Sequence, residues 1–244
     1  MNMQIDFCLP AYNEEKILKN NALKLLNYCQ SQNFNFDWKI VIIINGSSDK
    51  SFKITEELSK SYPDKIKVKK IIEPGRGRAL KTYWLESSAD IVSYMDADLA
   101  VSLYNISDLV MPLINNNYDC VIGSRLLPQS KIKRVFIREL FSQWCNLLYR
   151  IIVGYKISDT QCGFKAMKKR VFEKISPYIK NKKWFFDTEI ITYTLLGGYK
   201  LKEIPIEWEE NRFSKRKSKV NLIKDSFLHI RNLLILKYRL IKNI

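Results

Sequence analysis

Short runs of β-branched and aliphatic residues alternate with amphipathic stretches through the first half of the chain. Residues 3–9 read as a strand, followed by the turn Pro10-Ala-Tyr-Asn-Glu-Glu15 and an amphipathic helix over about 14–30. Lys39 to Ile44 is a nearly continuous β-branched run, the pattern of a strand covered on both faces. It ends in Asn45-Gly-Ser-Ser-Asp49, where Ser48 or Asp49 is placed to cap a helix over roughly 50–62. A third strand spans about 67–72, and Glu73-Pro-Gly-Arg-Gly-Arg-Ala79 opens a helix to about 88. Ile91–Met95 forms a fourth strand, a helix follows over about 103–115, and Asp119–Ile122 forms a fifth. This order predicts an α/β fold: a mostly parallel sheet with helices on both faces. The loops after the strands then share one rim, where open α/β sheets bind ligands.

The second half changes character. Residues 132–153 read as one long amphipathic helix. Arg134, Arg138 and Ser142 recur every four residues on one face, while Phe141, Trp144, Leu148 and Ile152 share another. Such a helix either packs on the core with a solvated basic stripe or lies at a membrane surface. Ser158 to Lys165 reads as a tight polar turn before a short helix from about Lys169. Trp184-Phe-Phe-Asp-Thr-Glu189 opens a helix over about 187–197, and a strand follows over 200–206. Asn211 to Lys219 is basic with almost no apolar content, and predicts a loop able to close over an anionic ligand. Val220–Ile244 is a basic amphipathic helix, with Phe227, Ile230, Leu234 and Ile235 among Arg231, Lys237, Arg239 and Lys242. That is the composition of a helix in a lipid headgroup layer, and His229 is expected at the same interface.

Charge sharpens this division. Residues 1–124 carry 14 Lys/Arg against 15 Asp/Glu, whereas 125–244 carry 27 against 10. A basic second half calls for an anionic partner: a phosphorylated substrate, an anionic membrane surface or nucleic acid. No zinc finger, RRM aromatic signature or clear helix-turn-helix is present, so nucleic acid is not expected. The five cysteines form no CxxC pair, and Cys8 and Cys120 sit in apolar runs as core thiols. No basic n-region marks a signal peptide, and no stretch reaches 18 uninterrupted apolar residues. The expectation is a peripheral protein.

Candidate chemistry concentrates where the fourth strand ends, at Asp96 and Asp98. Carboxylates one apart at a strand-to-turn junction can face one hard cation, Mg²⁺ or Mn²⁺, beside a diphosphate. The tripeptide alone is equally a polar turn. Gly75-Arg-Gly-Arg78 is neither a Rossmann fingerprint nor a Walker loop. Arg76, Arg78 and Lys81 either contact phosphate at the helix start or border a solvated turn.

Taken together, the segments resemble glycosyltransferase family 2, in particular its polyprenyl-phosphate (dolichyl-phosphate) mannose and glucose synthases. The resemblance rests on Pro10-Ala-Tyr-Asn-Glu14, Asn45-Gly-Ser-Ser-Asp49, the Gly75–Arg78 loop, Met95-Asp-Ala-Asp-Leu99 and Gly123-Ser-Arg125. It continues with Asp159-Thr-Gln-Cys-Gly-Phe-Lys165, Phe186-Asp-Thr-Glu189 and Ser218-Lys-Val-Asn221. It implies a GT-A fold over 1–218, with a nucleotide-sugar half (1–124), an acceptor half (125–218) and a separate interfacial helix (219–244). The implied reaction is an inverting transfer from a UDP- or GDP-sugar to a polyprenyl phosphate at the cytoplasmic face of a membrane.

By the same resemblance, Pro10, Ala11, Tyr12, Glu14 and Asn45 hold base and ribose, and Arg78, Asp96 and Ala97 line the donor. Asp98, with Asp96, holds the metal. Arg125, Arg138 and Ser142 grip the acceptor phosphate, and Arg212 and Lys219 close over the diphosphate. Asp187 orients the sugar, acts as a base toward a hydroxyl acceptor, or simply caps its helix. Two departures stand out: Asn45 replaces the usual base-reading Asp, and Ala100 stands where mannose synthases place a metal-binding Gln. The chain also ends without the transmembrane helices of many relatives, which leaves room for a membrane-protein partner. The alternatives are transfer to a sugar hydroxyl in surface-polysaccharide synthesis and a non-enzymatic membrane scaffold.

Overall fold

The computed structural model describes residues 3–133, 136–210 and 222–242; the side chains of 136–139 and 222–225 fall outside that description. The first half alternates as expected: β1 (Gln4–Ala11), α1 (Leu18–Ser31), β2 (Asp37–Asn45), α2 (Ser51–Ser61), β3 (Ile66–Ile71), α3 (Arg76–Glu86), β4 (Ile91–Met95), α4 (Ile106–Ile114) and β5 (Cys120–Ser124). The second half holds β6 (Lys131–Lys133), α5 (Phe136–Val153), β7 (Phe164–Lys168), α6 (Lys169–Ile175), α7 (Phe186–Leu196), β8 (Leu201–Pro205), β9 (Glu207–Glu209) and α8 (Leu222–Lys242).

Seven strands form one sheet in the order β3-β2-β1-β4-β7-β5-β8, running across the division at 124/125. Only β7 is antiparallel to its neighbours. β6 and β9 make a small second sheet. The β-branched run of β2 is buried because both faces are covered. Ile40, Ile42 and Ile44 pack with α1, α2 and α4, while Val41 and Ile43 pack with α3, α6 and α7. After β1 the chain builds β2 and β3 on one side, then β4 on the other. The switch point between β1 and β4 opens a crevice at their C-terminal ends.

Four expectations are corrected. The helix expected over 132–153 begins at Phe136, because Lys131–Lys133 pair with Glu207–Glu209 as β6. Ser158–Lys165 is not a turn throughout, because Phe164 and Lys165 begin β7 in mid-sheet. Lys165 is only 1% exposed, and a nearby carboxylate makes its burial tolerable. α1 starts at Leu18, because residues 15–17 form a turn in which the Ile17 and Leu18 N–H groups both donate to Glu14 O. His229 is not interfacial: it is 4% exposed, on the inner face of α8 with Leu233 and Leu236. α8 packs on α5. Among the described residues, no helix is long and apolar enough to cross a membrane.

Candidate active site

Two loops at the switch point are stitched together by their own polar residues. Asn13 N–H donates to Ser47 Oγ (3.0 Å), Ser48 N–H to Asn13 Oδ1 (2.8 Å) and Glu14 N–H to Ser51 Oγ (2.9 Å). Asp49 accepts from Glu15 N–H and from Ser51 N–H, both at 3.0 Å, so it, rather than Ser48, serves the start of α2. Pro10 and the buried Ala11 end β1, and the stitched turn beyond them carries Tyr12, 41% exposed, and Glu14. Asn45 is buried and its amide is committed at both ends. Nδ2 donates to Ala11 O (2.9 Å), and Oδ1 accepts from Gly75 N–H (3.0 Å). It therefore braces β1 against the loop that opens α3.

That loop needs its glycines. Gly75 has φ +144°, and a Cβ there would collide with the Lys182 carbonyl; a Cβ on Gly46 would strike Pro74. The close approach delivers Arg76, at the first position of α3, into the crevice. Its NH1 donates to Asp96 Oδ1 at 3.0 Å, and its NH2 to Asp187 Oδ2. Its guanidinium lies 4.1 Å from the Trp184 ring centroid. Burial opposes the charge on Arg76, but Asp187, Tyr94 and Asp96 outweigh it and hold the pKa above the ordinary value. Arg78, the arginine expected at the donor, instead pairs with Glu73, and Lys81 is spent on the carbonyls of Ser176 and Ile179.

Asp96 and Asp98 leave β4 on a tight turn in which Leu99 N–H donates to Asp96 O and Leu99 has φ 48°. A left-handed backbone in a leucine marks stored strain at the turn. The Asp96 side chain is 41% exposed although it holds Arg76, so it presents an open face to the crevice. Its carboxyl is pushed upward by its surroundings and by Asp98 and Asp187, against Arg76. Asp98 is half-buried, with Ala100 N–H 3.3 Å from its Oδ1. Ala97 is buried, and its carbonyl accepts from Asn21. A Cβ on Gly163 would occupy the space of the Asp96 carboxylate, so that glycine is the cradle for it. Two hard carboxylates on one turn fit a divalent cation that completes its shell with phosphate oxygens and water.

Asp187 is fully buried behind this pair. Oδ1 receives the Tyr94 hydroxyl and lies 3.2 Å from Lys165 Nζ, while Oδ2 receives Arg76. Burial first, then Asp187 and Asp96, push the Tyr94 phenol well up, so it keeps its proton and donates. Asp187 does not cap its helix; that position belongs to Phe185. Tyr94 and Lys165 are site residues to which the sequence assigned no role, and Arg76, expected at phosphate or in a solvated turn, is instead the link between two carboxylates. The one local signal for this cluster was the glycine-flanked arginine.

Among the residues expected at the acceptor phosphate, Arg125 donates to the buried Asp159 through Nε (2.7 Å) and NH2 (2.9 Å). Burial opposes its charge, yet Asp159 holds the Arg125 pKa above the ordinary value. Ser142 is half-buried on α5, one turn after Arg138. The Arg134 and Arg138 side chains, Arg212 and Lys219 lie outside the described residues. Two exposed apolar strips run along the neighbouring helices. Leu140, Trp144, Leu147 and Ile151 lie on α5, and Phe227, Leu234, Tyr238 and Ile241 on α8. Trp144 is thus parted from Leu148 and Ile152, which pack against the core.

A family model described as Glycosyl transferase family 2 matches residues 6–176. The chain is 31% identical over 223 residues to dolichyl-phosphate β-glucosyltransferase ALG5A of Trichomonas vaginalis, a match covering 88% of this chain and 69% of that protein. It is 28% identical over 224 residues to glycosyltransferase AglD of Haloferax volcanii, covering 91% of this chain and 35% of AglD. The chain therefore spans about a third of AglD's length. Among solved structures, glucosyl-3-phosphoglycerate synthase from Mycobacterium tuberculosis, in complex with Mn²⁺, UDP and phosphoglyceric acid, matches with TM-score 0.68 at 15% identity. That match covers 96% of this chain and 78% of the other, and the likeness is one of fold. The sheet and its flanking helices are those of a GT-A fold. The chain belongs to glycosyl transferase family 2.

Proposed function

We propose that the chain transfers a hexose, with inversion, from a nucleotide-sugar to the phosphate of a polyprenyl, dolichyl-type lipid at a membrane surface. Relatives named dolichyl-phosphate β-glucosyltransferase support a lipid phosphate acceptor and favour glucose. The end of β1 at Pro10 and Ala11, with the stitched turn carrying Tyr12 and Glu14, offers a platform for the nucleotide, and Asp96 and Asp98 would hold Mg²⁺ or Mn²⁺. When bound there, the cation offsets the charge of the departing diphosphate. Arg76 holds Asp96 and Asp187 in fixed relation, which would give the sugar a rigid wall with Asp96 at its open face. Arg125, Arg138 and Ser142 would bind the acceptor phosphate, with Arg212 and Lys219 over the donor.

The observation that carries this reading is the state of Asp187. Both of its oxygens are occupied by donors, so it is poorly placed to take a proton from a hydroxyl. A phosphate monoester, with its second pKa about 6, is largely dianionic at neutral pH and needs no such help. The apolar strips of α5 and α8, interspersed with Arg231, Lys237 and Lys242, suit a peripheral position on an anionic membrane surface. Labelled UDP- and GDP-sugars mixed with short polyprenyl phosphates, with and without Mn²⁺, test it. Metal-dependent lipid-linked sugar is expected, and folded protein that yields none with any pairing overturns it.

A further inference from the structure

The loop 159–163 forms the back wall of both halves of the site. Gly163 O accepts the Asp96 N–H at 3.1 Å, and the missing Cβ of Gly163 makes room for the Asp96 carboxylate. At its other end, Asp159 holds Arg125. The middle of the loop is fixed from outside the sheet. Thr160 donates through N–H and Oγ1 to Asn146 Oδ1, both at 2.9 Å, and Asn146 Nδ2 donates to Ser142 O at 2.8 Å. Asn146 lies on α5 and is 2% exposed. Gln161 Nε2 meets His229 Nδ1 at 2.8 Å, which ties the loop to α8. The His229 ring stands edge-on to Phe185, 5.4 Å between centroids and two residues before Asp187. α8 is anchored in turn by Leu233, Leu236 and the Arg239–Glu189 ion pair.

We infer that Asn146 and His229 are positioning residues that lock the 159–163 loop behind Asp96 and Arg125. The two helices that carry the exposed apolar strips thereby set the geometry of the transfer site. A pair of neutral polar side chains buried at an interhelical contact suits this role. Asn146 is matched at both ends of its amide and His229 at Nδ1, and each loses its match to the loop if the loop leaves its seat. The inference rests on the transfer reaction proposed above for its kinetic consequence, but the lock itself is a structural claim.

The test compares His229→Leu, Gln161→Leu, the double variant and the conservative His229→Gln in the full chain. Amide exchange at Asp96 and Gln161 is expected to quicken about tenfold in both Leu variants. With UDP and Mn²⁺ as probes, the nucleotide Kd is expected to stay within about twofold, while kcat for transfer falls about tenfold. The double variant should lose no more than the worse single one, and His229→Gln should regain most of the rate. Unchanged exchange at Asp96 in both Leu variants overturns the inference, as do fully additive losses in the double variant. If wild-type protein makes no lipid-linked sugar, the transfer reading falls, and amide exchange alone decides the lock.

Discussion

Arg76 and Asp187 form an ion pair in which both members are almost withdrawn from water, with side-chain exposures of 9% and 0%. The pair joins the first turn of α3 to the first turn of α7, and Asp96 is attached to the same guanidinium. Arg76→Ala would strip Asp187 of one cation and leave Lys165 and Tyr94 to satisfy it. Removing one partner of a buried pair costs about 3 kcal/mol. Urea unfolding should show that loss, together with a fall in kcat/KM of at least about a hundredfold. Arg76→Lys should recover stability better than activity, because an ammonium cannot fork to two carboxylates.

Asp187→Asn separates orientation from base catalysis. Loss of an orienting charge predicts a rate drop of about ten- to a hundredfold, with the pH–rate profile keeping its shape. A general base would give a deeper loss and remove the acidic limb of the profile. The measurement is kcat against pH for both proteins.

Asn45→Asp keeps shape but replaces the amide donor with an acceptor facing the Ala11 carbonyl. An unmet buried carbonyl beside a carboxylate costs about 1–3 kcal/mol. Thermal and urea unfolding should register this, and Asn45→Ala should lose a similar amount. If Asn45 acts as a brace, the order of affinity for UDP and GDP should be unchanged in both variants.

The pH dependence of stability follows from two groups. Burial pushes the His229 imidazole down to about 4, against a weaker upward pull from the Cys145 backbone. Its value in the unfolded chain is about 6.5, so its contribution is complete above that pH and is lost as pH falls through about 4. The loss amounts to about 3 kcal/mol. Burial also works upward on Asp159, but Arg125 outweighs it and holds the carboxyl at about 2. Its contribution, present above about 3.9, is lost only as pH falls through about 2. The stability read from equilibrium unfolding should therefore fall between pH 7 and 4 in wild type, and that fall should flatten in His229→Gln.

Much of residues 1–124 was legible because the signals there are local. A β-branched run covered on both faces, as in β2, has one reading. The turn after β4 announces itself by two carboxylates one apart. The misreadings share a different cause. Phe164-Lys-Ala-Met-Lys168 puts lysines at two positions that the sheet buries, which extends the polar reading of the preceding turn. It enters the sheet because Asp187, twenty-two residues after Lys165, supplies the counter-charge. Arg76 and Arg78 are alike in sequence, and only the tertiary approach of the Lys182 segment aims one at the carboxylates and leaves the other on Glu73. His229 sits in a helix whose composition is interfacial, yet its own face turns inward to Gln161.

The most direct measurement offers the protein two lipids of equal chain length, a polyprenyl phosphate and the corresponding free polyprenol, with a labelled nucleotide-sugar and Mn²⁺. Transfer to the phosphate alone is the predicted result. Transfer to the free alcohol at a comparable rate would contradict the account, because it would require Asp187 to act as the base that its three donors oppose.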